Sequence, residues 1–359
     1  MISVIILTYN GEKYIRKCLD SVINQTVGMG QIEMIIIDDA STDSTVDIVK
    51  EYEGKYPENI CLILRKENSL GTGEVNRNIG LDYATGEYIL FLDQDDWYEH
   101  NAFEMLLAIV NDNPCLDYVE YRFNYTDVDE NIYKVSRKLG QGVTFYSIGD
   151  EETRVACAKK SIIPGATYAW NKMYRKEFLD ENVIFYNDGA NRTGFTDNFF
   201  SGLVAMYATN IARLNEPLYN YRNYIGSYSH DAKKNSKVQF ERCKVALVFY
   251  NECKSRGLLE TNKELVEYIF ARTFLVKTFW KFLLTYDPIP YETIEYIQDK
   301  ILEICPDYKN NSIMLVRNDM KLLMDILDKK WTKEFLDELQ LEINKLSEDS
   351  NIRKYMYLS

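Results

Sequence analysis

The chain has 359 residues, enough for about two domains at roughly 150 residues each. Its 55 acidic side chains against 42 Lys and Arg give a formal charge of −13, which disfavours nucleic acid as a partner. With 46% apolar and 27% charged residues the composition is that of a folded globular protein, and global disorder is excluded. Seven cysteines in no CxxC spacing, with only His100 and His230 beside them, argue against a disulfide framework and against structural zinc. The N-terminus opens on a strand-like run without a basic stretch or cleavage site, so no signal peptide is expected. The most apolar stretch, 270–286, is broken by Arg272, Lys277 and Lys281 and does not read as a membrane span. A cytoplasmic protein is expected.

In chain order, Ser3 to Thr8 reads as a buried strand and Glu12 to Gln25 as a helix with Tyr14, Ile15, Cys18, Leu19 and Val22 on one face. A strand over Glu33 to Asp38 follows, then a helix over Ser44 to Tyr56 that Ser41 or Asp43 can cap. Ile60 to Leu64 is a third strand, Glu74 to Ala84 a helix, and Tyr88 to Leu92 a fourth strand. This rhythm predicts an α/β, Rossmann-like sheet flanked by helices, with ligands outside the carboxyl ends of its strands. Tyr118 to Tyr125 and Gly142 to Tyr146 read as added strands, with a helix over Glu151 to Lys160. Beyond His230 the pattern is almost wholly helical, with segments at 239–255, 262–286, 291–304 and 312–327. The expected division is a domain over 1–230, made of halves 1–112 and 113–230, followed by a helical domain over 231–359.

The strand ends carry the chemistry. Asp93-Gln94-Asp95-Asp96 follows the apolar run 88–92, and Asp93 and Asp95 alternate toward one side. Two carboxylates about 4 Å apart repel by about 4 kcal/mol at an intermediate dielectric, and a hard cation relieves that. Mg²⁺ or Mn²⁺ characteristically takes one or two carboxylates plus substrate phosphates. An isolated DxDD reads more readily as a solvated acidic turn in which Asp96 caps a helix; its place at the end of a nucleotide-type sheet favours the cation. Gly71-Thr72-Gly73 fails as a dinucleotide fingerprint because Asn76 stands where a third glycine is needed. Arg77, early on the helix that follows, is placed to reach a phosphate.

Taken together, residues 3–10, 35–43 (Ile-Ile-Ile-Asp-Asp-Ala-Ser-Thr-Asp), 76–81, 85–88 and 92–96 resemble the family 2 glycosyltransferases. The resemblance implies the A-type glycosyltransferase (GT-A) fold, with a mixed sheet, and an inverting transfer from a nucleotide-sugar, most often a UDP-sugar, with Mn²⁺ or Mg²⁺. It implies Thr8 and Tyr9 in the base pocket, with Tyr9 stacked on the base and Asp39 accepting from it. Asp38 supports the loop, Asp93 contacts the ribose, Gln94 is the variable letter beside the donor, and Asp95 ligates the metal. Asp96 is read either as support for that site or as a helix cap.

Downstream, Ala169-Trp170-Asn171-Lys172-Met173-Tyr174-Arg175 resembles a segment of bacterial surface-polysaccharide members. Trp170 is read as stacking on an acceptor sugar or as core packing. Thr196-Asp197-Asn198-Phe199-Phe200 aligns with Glu-Asp-x-x-Phe, which implies Asp197 as general base; Thr196 replaces the usual glutamate. The stretch 217–230 resembles a segment that closes over the donor, so Arg222 is expected at a phosphate, and His230 either completes the metal shell or lies on the surface. No QxxRW sequence occurs, which points to a non-processive enzyme. The implied acceptor is a glycan or lipid-linked oligosaccharide at the inner face of the cell membrane. The C-terminal helices are read as a bundle or homo-oligomer interface, or as a peripheral membrane contact. Rival readings are a catalytically silent nucleotide-sugar scaffold and a sugar nucleotidylyltransferase.

Overall fold

The computed structural model describes residues 1–69, 73–163, 168–187, 196–224, 240, 244–286 and 288–346. The chain divides into two compact units. The first comprises Met1–Gly149, Tyr168–Arg192 and Tyr207–Ser227; the second comprises Asp150–Thr167, Thr193–Met206 and Tyr228–Ser359.

The first unit is built on one ten-stranded mixed sheet. Its N-terminal half matches the sequence rhythm: β1 (Ile2–Thr8), α1 (Ile15–Ile23), β2 (Ile32–Asp38), α2 (Thr45–Lys55), β3 (Ile60–Leu64), α3 (Glu74–Tyr83) and β4 (Tyr88–Asp93). The strands β3-β2-β1-β4 lie side by side and parallel. Continuous burial along Ile2, Val4, Ile5 and Ile6 and along Met34–Ile37 explains why these runs are apolar without alternation, since parallel strands are covered on both faces. Helix α3 packs close on β1. A Cβ added at Gly80 would lie 2.3 Å from Ile5 Cγ2, so only glycine admits that approach.

Several elements were not foreseen: β5 (Trp97–Tyr98), α4 (Ala102–Asp112), β7 (Ile132–Val135), β9 (Lys172–Arg175), α6 (Lys176–Glu181) and β10 (Asn210–Arg222). With β6 (Tyr118–Thr126) and β8 (Val143–Ser147), these strands complete the sheet in the order β3-β2-β1-β4-β9-β6-β10-β5, where β7 pairs with β6 and β8 with β10. Strand β9 is antiparallel to both β4 and β6, and β6 runs parallel to β10. Pro217 disguises β10 in the sequence. It has no N–H to give the ladder, and the β6–β10 register shifts on either side of it.

The second unit is helical. It takes in α5 (Glu151–Lys159) and α7 (Thr196–Tyr207), which the sequence reading had placed in the range 1–230. Arg154 Nη1 on α5 donates to Ala205 O on α7 at 2.7 Å. Gly202 on α7 gives way to the Phe249 ring, whose Cε2 would stand 2.6 Å from an added Cβ. The stretch expected at 262–286 is α9 (Leu259–Ala271), a π-helical turn over Arg272–Val276 and α10 (Lys277–Thr285), preceded by α8 (Val245–Ser255). After α11 (Tyr291–Ile304), the expected helix 312–327 is broken in two by the extended Arg317, giving α12 (Ser312–Val316) and α13 (Asn318–Leu327). A last helix, α14, covers Lys333–Leu346.

Candidate functional site

Register brings the site together. Thr8 is the cross-strand partner of Asp38, and Leu7 that of Asp93, so β1, β2 and β4 end abreast with their carboxyl ends facing one way. The loops that leave this edge carry most of the residues singled out in the sequence.

At the end of β1, Tyr9 is 46% exposed, an aromatic ring left uncovered beside a polar edge. Gln94 ties this loop to the acidic one. Its Oε1 accepts from Thr8 Oγ1 at 2.7 Å and from Tyr9 N at 2.9 Å, and its Nε2 donates to Tyr9 O at 3.0 Å. At the end of β2, Asp38 is buried and accepts from Ser41 N at 2.9 Å and Ser41 Oγ at 2.5 Å, the loop-supporting role expected of it. Ala40 between them is held at φ 63°, a left-handed conformation that costs an L-residue roughly 1–2 kcal/mol.

Asp39 is 7% exposed and ringed by donors. Arg65 Nη1 reaches its Oδ1 at 3.1 Å, and Ser69 gives its N–H and its hydroxyl, the latter to Oδ2 at 2.7 Å. Arg65 also donates to Asn76 Oδ1 at 2.9 Å, linking Asp39 to α3. Neither Arg65 nor Ser69 was singled out in the sequence. Their only signal was a run of polar residues following β3.

Arg77 donates from Nη2 to Asp93 Oδ1 at 2.9 Å and lies 5.3 Å from the Tyr186 ring centre. It thus meets the acidic loop through Asp93. Asp95 is half-buried. Burial and the neighbouring Asp93 push its carboxyl up to about 6, although a Tyr224 hydrogen bond and the Arg222 charge act in the other direction. Asp96 is 1% exposed, and burial with the charges of Asp95 and Asp93 raises it well above the carboxylate range. It caps no helix. Tyr219 Oη donates to its Oδ2 at 2.6 Å and Arg222 N to its Oδ1 at 2.8 Å, so Asp96 fastens the acidic loop to β10.

Arg222 is placed differently from the phosphate-facing role expected of it. It is 3% exposed, and its Nε donates to Asp95 O at 3.0 Å. Its two terminal nitrogens donate to Val128 O and to Glu130 Oε1, each at 3.1 Å. The guanidinium carbon sits 4.8 Å and 4.7 Å from the rings of Tyr14 and Trp97. A cation so enclosed positions the loop. Of the two readings of Trp170, its burial suits core packing: it is 4% exposed and stacks with Tyr168 at 4.7 Å, Tyr219 at 4.4 Å and Tyr221 at 5.6 Å.

Asp197 stands half-buried in the first turn of α7, within the second unit, where the helix dipole favours its negative form. His230 lies outside the described residues. Among the described residues no three or more His, Cys, Asp or Glu side chains gather to hold a metal by themselves. The donor set instead suits a hard cation shared with a ligand: two neighbouring carboxylates, one of them disfavoured in its charged form until a positive partner arrives.

The model of glycosyl transferase family 2 matches residues 3–183, half of the chain. The chain belongs to glycosyl transferase family 2. This glycosyltransferase is 30% identical over 267 residues to EpsH of Bacillus subtilis (strain 168), a span covering 74% of this chain and 71% of EpsH. To the poly(ribitol-phosphate) beta-N-acetylglucosaminyltransferase TarS of Staphylococcus aureus (strain Mu50) it is 29% identical over 219 residues, 61% of this chain but 35% of TarS. The crystal structure of S. aureus TarS superposes with a TM-score of 0.65 at 20% identity, covering 93% of this chain and 54% of that one. TarS 1–349 in complex with UDP-GlcNAc superposes with a TM-score of 0.58 at 19% identity, covering 90% and 91%. The fold of this family 2 glycosyltransferase is GT-A, as expected. Among its described residues no helix is long and apolar enough to cross a membrane.

Proposed function

We propose that this glycosyltransferase moves a hexosyl or N-acetylhexosaminyl residue from a UDP-sugar, with Mn²⁺ or Mg²⁺, to a glycan or lipid-linked acceptor of a bacterial surface polysaccharide. The reaction is inverting and non-processive, and it takes place at the inner face of the cell membrane. The observation that carries the reading is the convergence, at one sheet edge, of an exposed aromatic ring (Tyr9), a buried acceptor (Asp39) and the Asp93–Asp95 pair. That is the polarity pattern of a nucleoside diphosphate: a flat base, a ribose and a doubly charged tail. The UDP-GlcNAc complex of the TarS neighbour agrees with it.

In this reading Tyr9 stacks on the base, a contact worth about 1–3 kcal/mol at other base sites. Thr8 lines the pocket, Asp39 accepts from the base, and Asp93, oriented by Arg77, meets the ribose. Asp95 holds the cation, which when bound offsets charge on the diphosphate leaving group. Asp197 takes the proton from the acceptor hydroxyl as that oxygen attacks the anomeric carbon on the face opposite the diphosphate. One carboxylate suffices for this single displacement.

Titration of the enzyme with UDP tests the donor half. Affinity is expected to rise on adding Mn²⁺, and Asp95→Ala to abolish that rise; an unchanged metal dependence in the variant removes Asp95 as ligand. For the base, Asp197→Asn is expected to keep UDP affinity while transfer falls by about 10²–10⁴-fold. A panel of UDP-sugars scored by UDP release with Mn²⁺ identifies the donor.

A further inference from the structure

The sheet separates two sides of the acidic loop. On the nucleotide side Thr8 ends β1, with Tyr9 after it and Asp39 after β2, while Asp93 ends β4 and 94–96 follow it. Beyond β4 lie β9, β6 and β10, and there the same edge is aromatic. Tyr219 faces Phe123 and Tyr221 faces Tyr125 across the β6–β10 ladder, which puts all four side chains on one face. Trp170 fills that face from beside them.

Ring contacts run outward from this base to solvent. Phe123 and Trp170 are nearly covered, but Tyr168, 5.5 Å from Phe123 and stacked on Trp170, is 44% exposed. Tyr125 contacts Tyr221 at 5.9 Å and Tyr133 at 6.3 Å, and Tyr133 is 53% exposed. The Tyr133 hydroxyl accepts from Asn223 Nδ2 at 2.8 Å, which leaves its proton to give to a ligand.

The exposed rings are also locked to the acidic loop. Arg222 joins Asp95 O to Val128 O and Glu130, which belong to the turn leading into β7, the strand that carries Tyr133. From within the aromatic face, Tyr219 holds Asp96. Side-chain bonds thus connect the turn before Tyr133 with the loop of the proposed metal ligand. A row of tyrosines, rather than of leucines or phenylalanines, suits a ligand that shows both C–H faces and hydroxyls.

We propose that Tyr133, Tyr125 and Tyr168 form a shelf that binds a sugar or sugar-alcohol unit of the acceptor chain, on the side of the acidic loop away from the nucleotide. The proposal rests on the donor reading given above, and the experiment keeps the two apart. Wild-type enzyme is titrated calorimetrically, without donor, with poly(ribitol phosphate), poly(glycerol phosphate) and N-acetylglucosamine oligosaccharides, and separately with UDP and Mn²⁺. At least one chain is expected to bind. Tyr133→Ala and Tyr168→Ala are each expected to weaken it about ten-fold, in line with the loss of one aromatic contact. The corresponding Phe variants should lose less, and UDP affinity should be unchanged in all four. Absence of binding by every chain, equal binding by wild type and both Ala variants, or a parallel loss of UDP affinity overturns the shelf. Chain binding that depends on Tyr133 and Tyr168 in a protein that does not bind UDP supports the shelf and overturns the donor reading instead.

Discussion

Gln94 stands between two aspartates as the unconstrained letter of a pattern, yet its amide both gives to and takes from the end of β1. Removing it frees the exposed Tyr9 loop from the acidic one. Since a hydrogen bond is worth about 0.5–1.5 kcal/mol net and two of these three are solvent-exposed, Gln94→Ala is expected to cost about 1–2 kcal/mol of stability. UDP affinity should fall with it, and a thermal melt paired with a UDP titration reads both. That Asp39, Asp93 and Asp95 gather at one sheet edge was legible because it follows from their local spacing at strand ends. Arg65 and Ser69 were not: they meet Asp39 across 26 and 30 residues, and nothing in their own neighbourhoods announces it. Trp170 and Arg222 drew notice for the opposite reason. Both are residue types that often contact ligands, and here burial assigns them to holding other groups in place.

Among the elements, runs long enough to show a pattern were mostly readable, and the shortest strands were not. β1 to β4 are unbroken apolar runs separated by amphipathic helices, whereas β5 and β9 are two and four residues long and too short for a period to show. In the second unit, α9 carries Glu267, 4% exposed and accepting from Asn311 Nδ2 at 3.2 Å. Burial raises its pKa, against the pull of Asn311 and Lys263. The folded state thus holds a proton that the unfolded chain gives up sooner. The associated stability is fully present below the ordinary glutamate range and is lost as pH rises through the raised value. Melting of the second unit is accordingly expected to fall over that window. Glu267→Gln, which keeps a partner for Asn311, should flatten the fall and melt a few degrees higher than wild type at pH 8, each 1 kcal/mol giving about 2–4 °C. Identical pH profiles for the two proteins would contradict this.

For the molecule as a whole, two-domain size was legible from length, and the family from five motifs in the first hundred residues. The partition was less so, because α5 and α7 join the second unit from within the range that the sequence assigned to the first. Their burial partners are the later helices, which no local pattern discloses. The fastening of the acidic loop to β10 carries a further consequence, for the order of synthesis. Asp95 and Asp96 are held by Tyr219 and Arg222, 123 to 127 positions later in the chain. A nascent polypeptide can pair β1 to β4 once it has reached Asp93, but closing the longer loop to β10 carries the larger entropy and comes later. Arg77 can hold Asp93 early, but the Asp96 carboxylate and the Asp95 carbonyl stay unanchored until the ribosome has made residue 222. The acidic loop is thus fastened only after β10 is made, later than the nucleotide-side sheet can form.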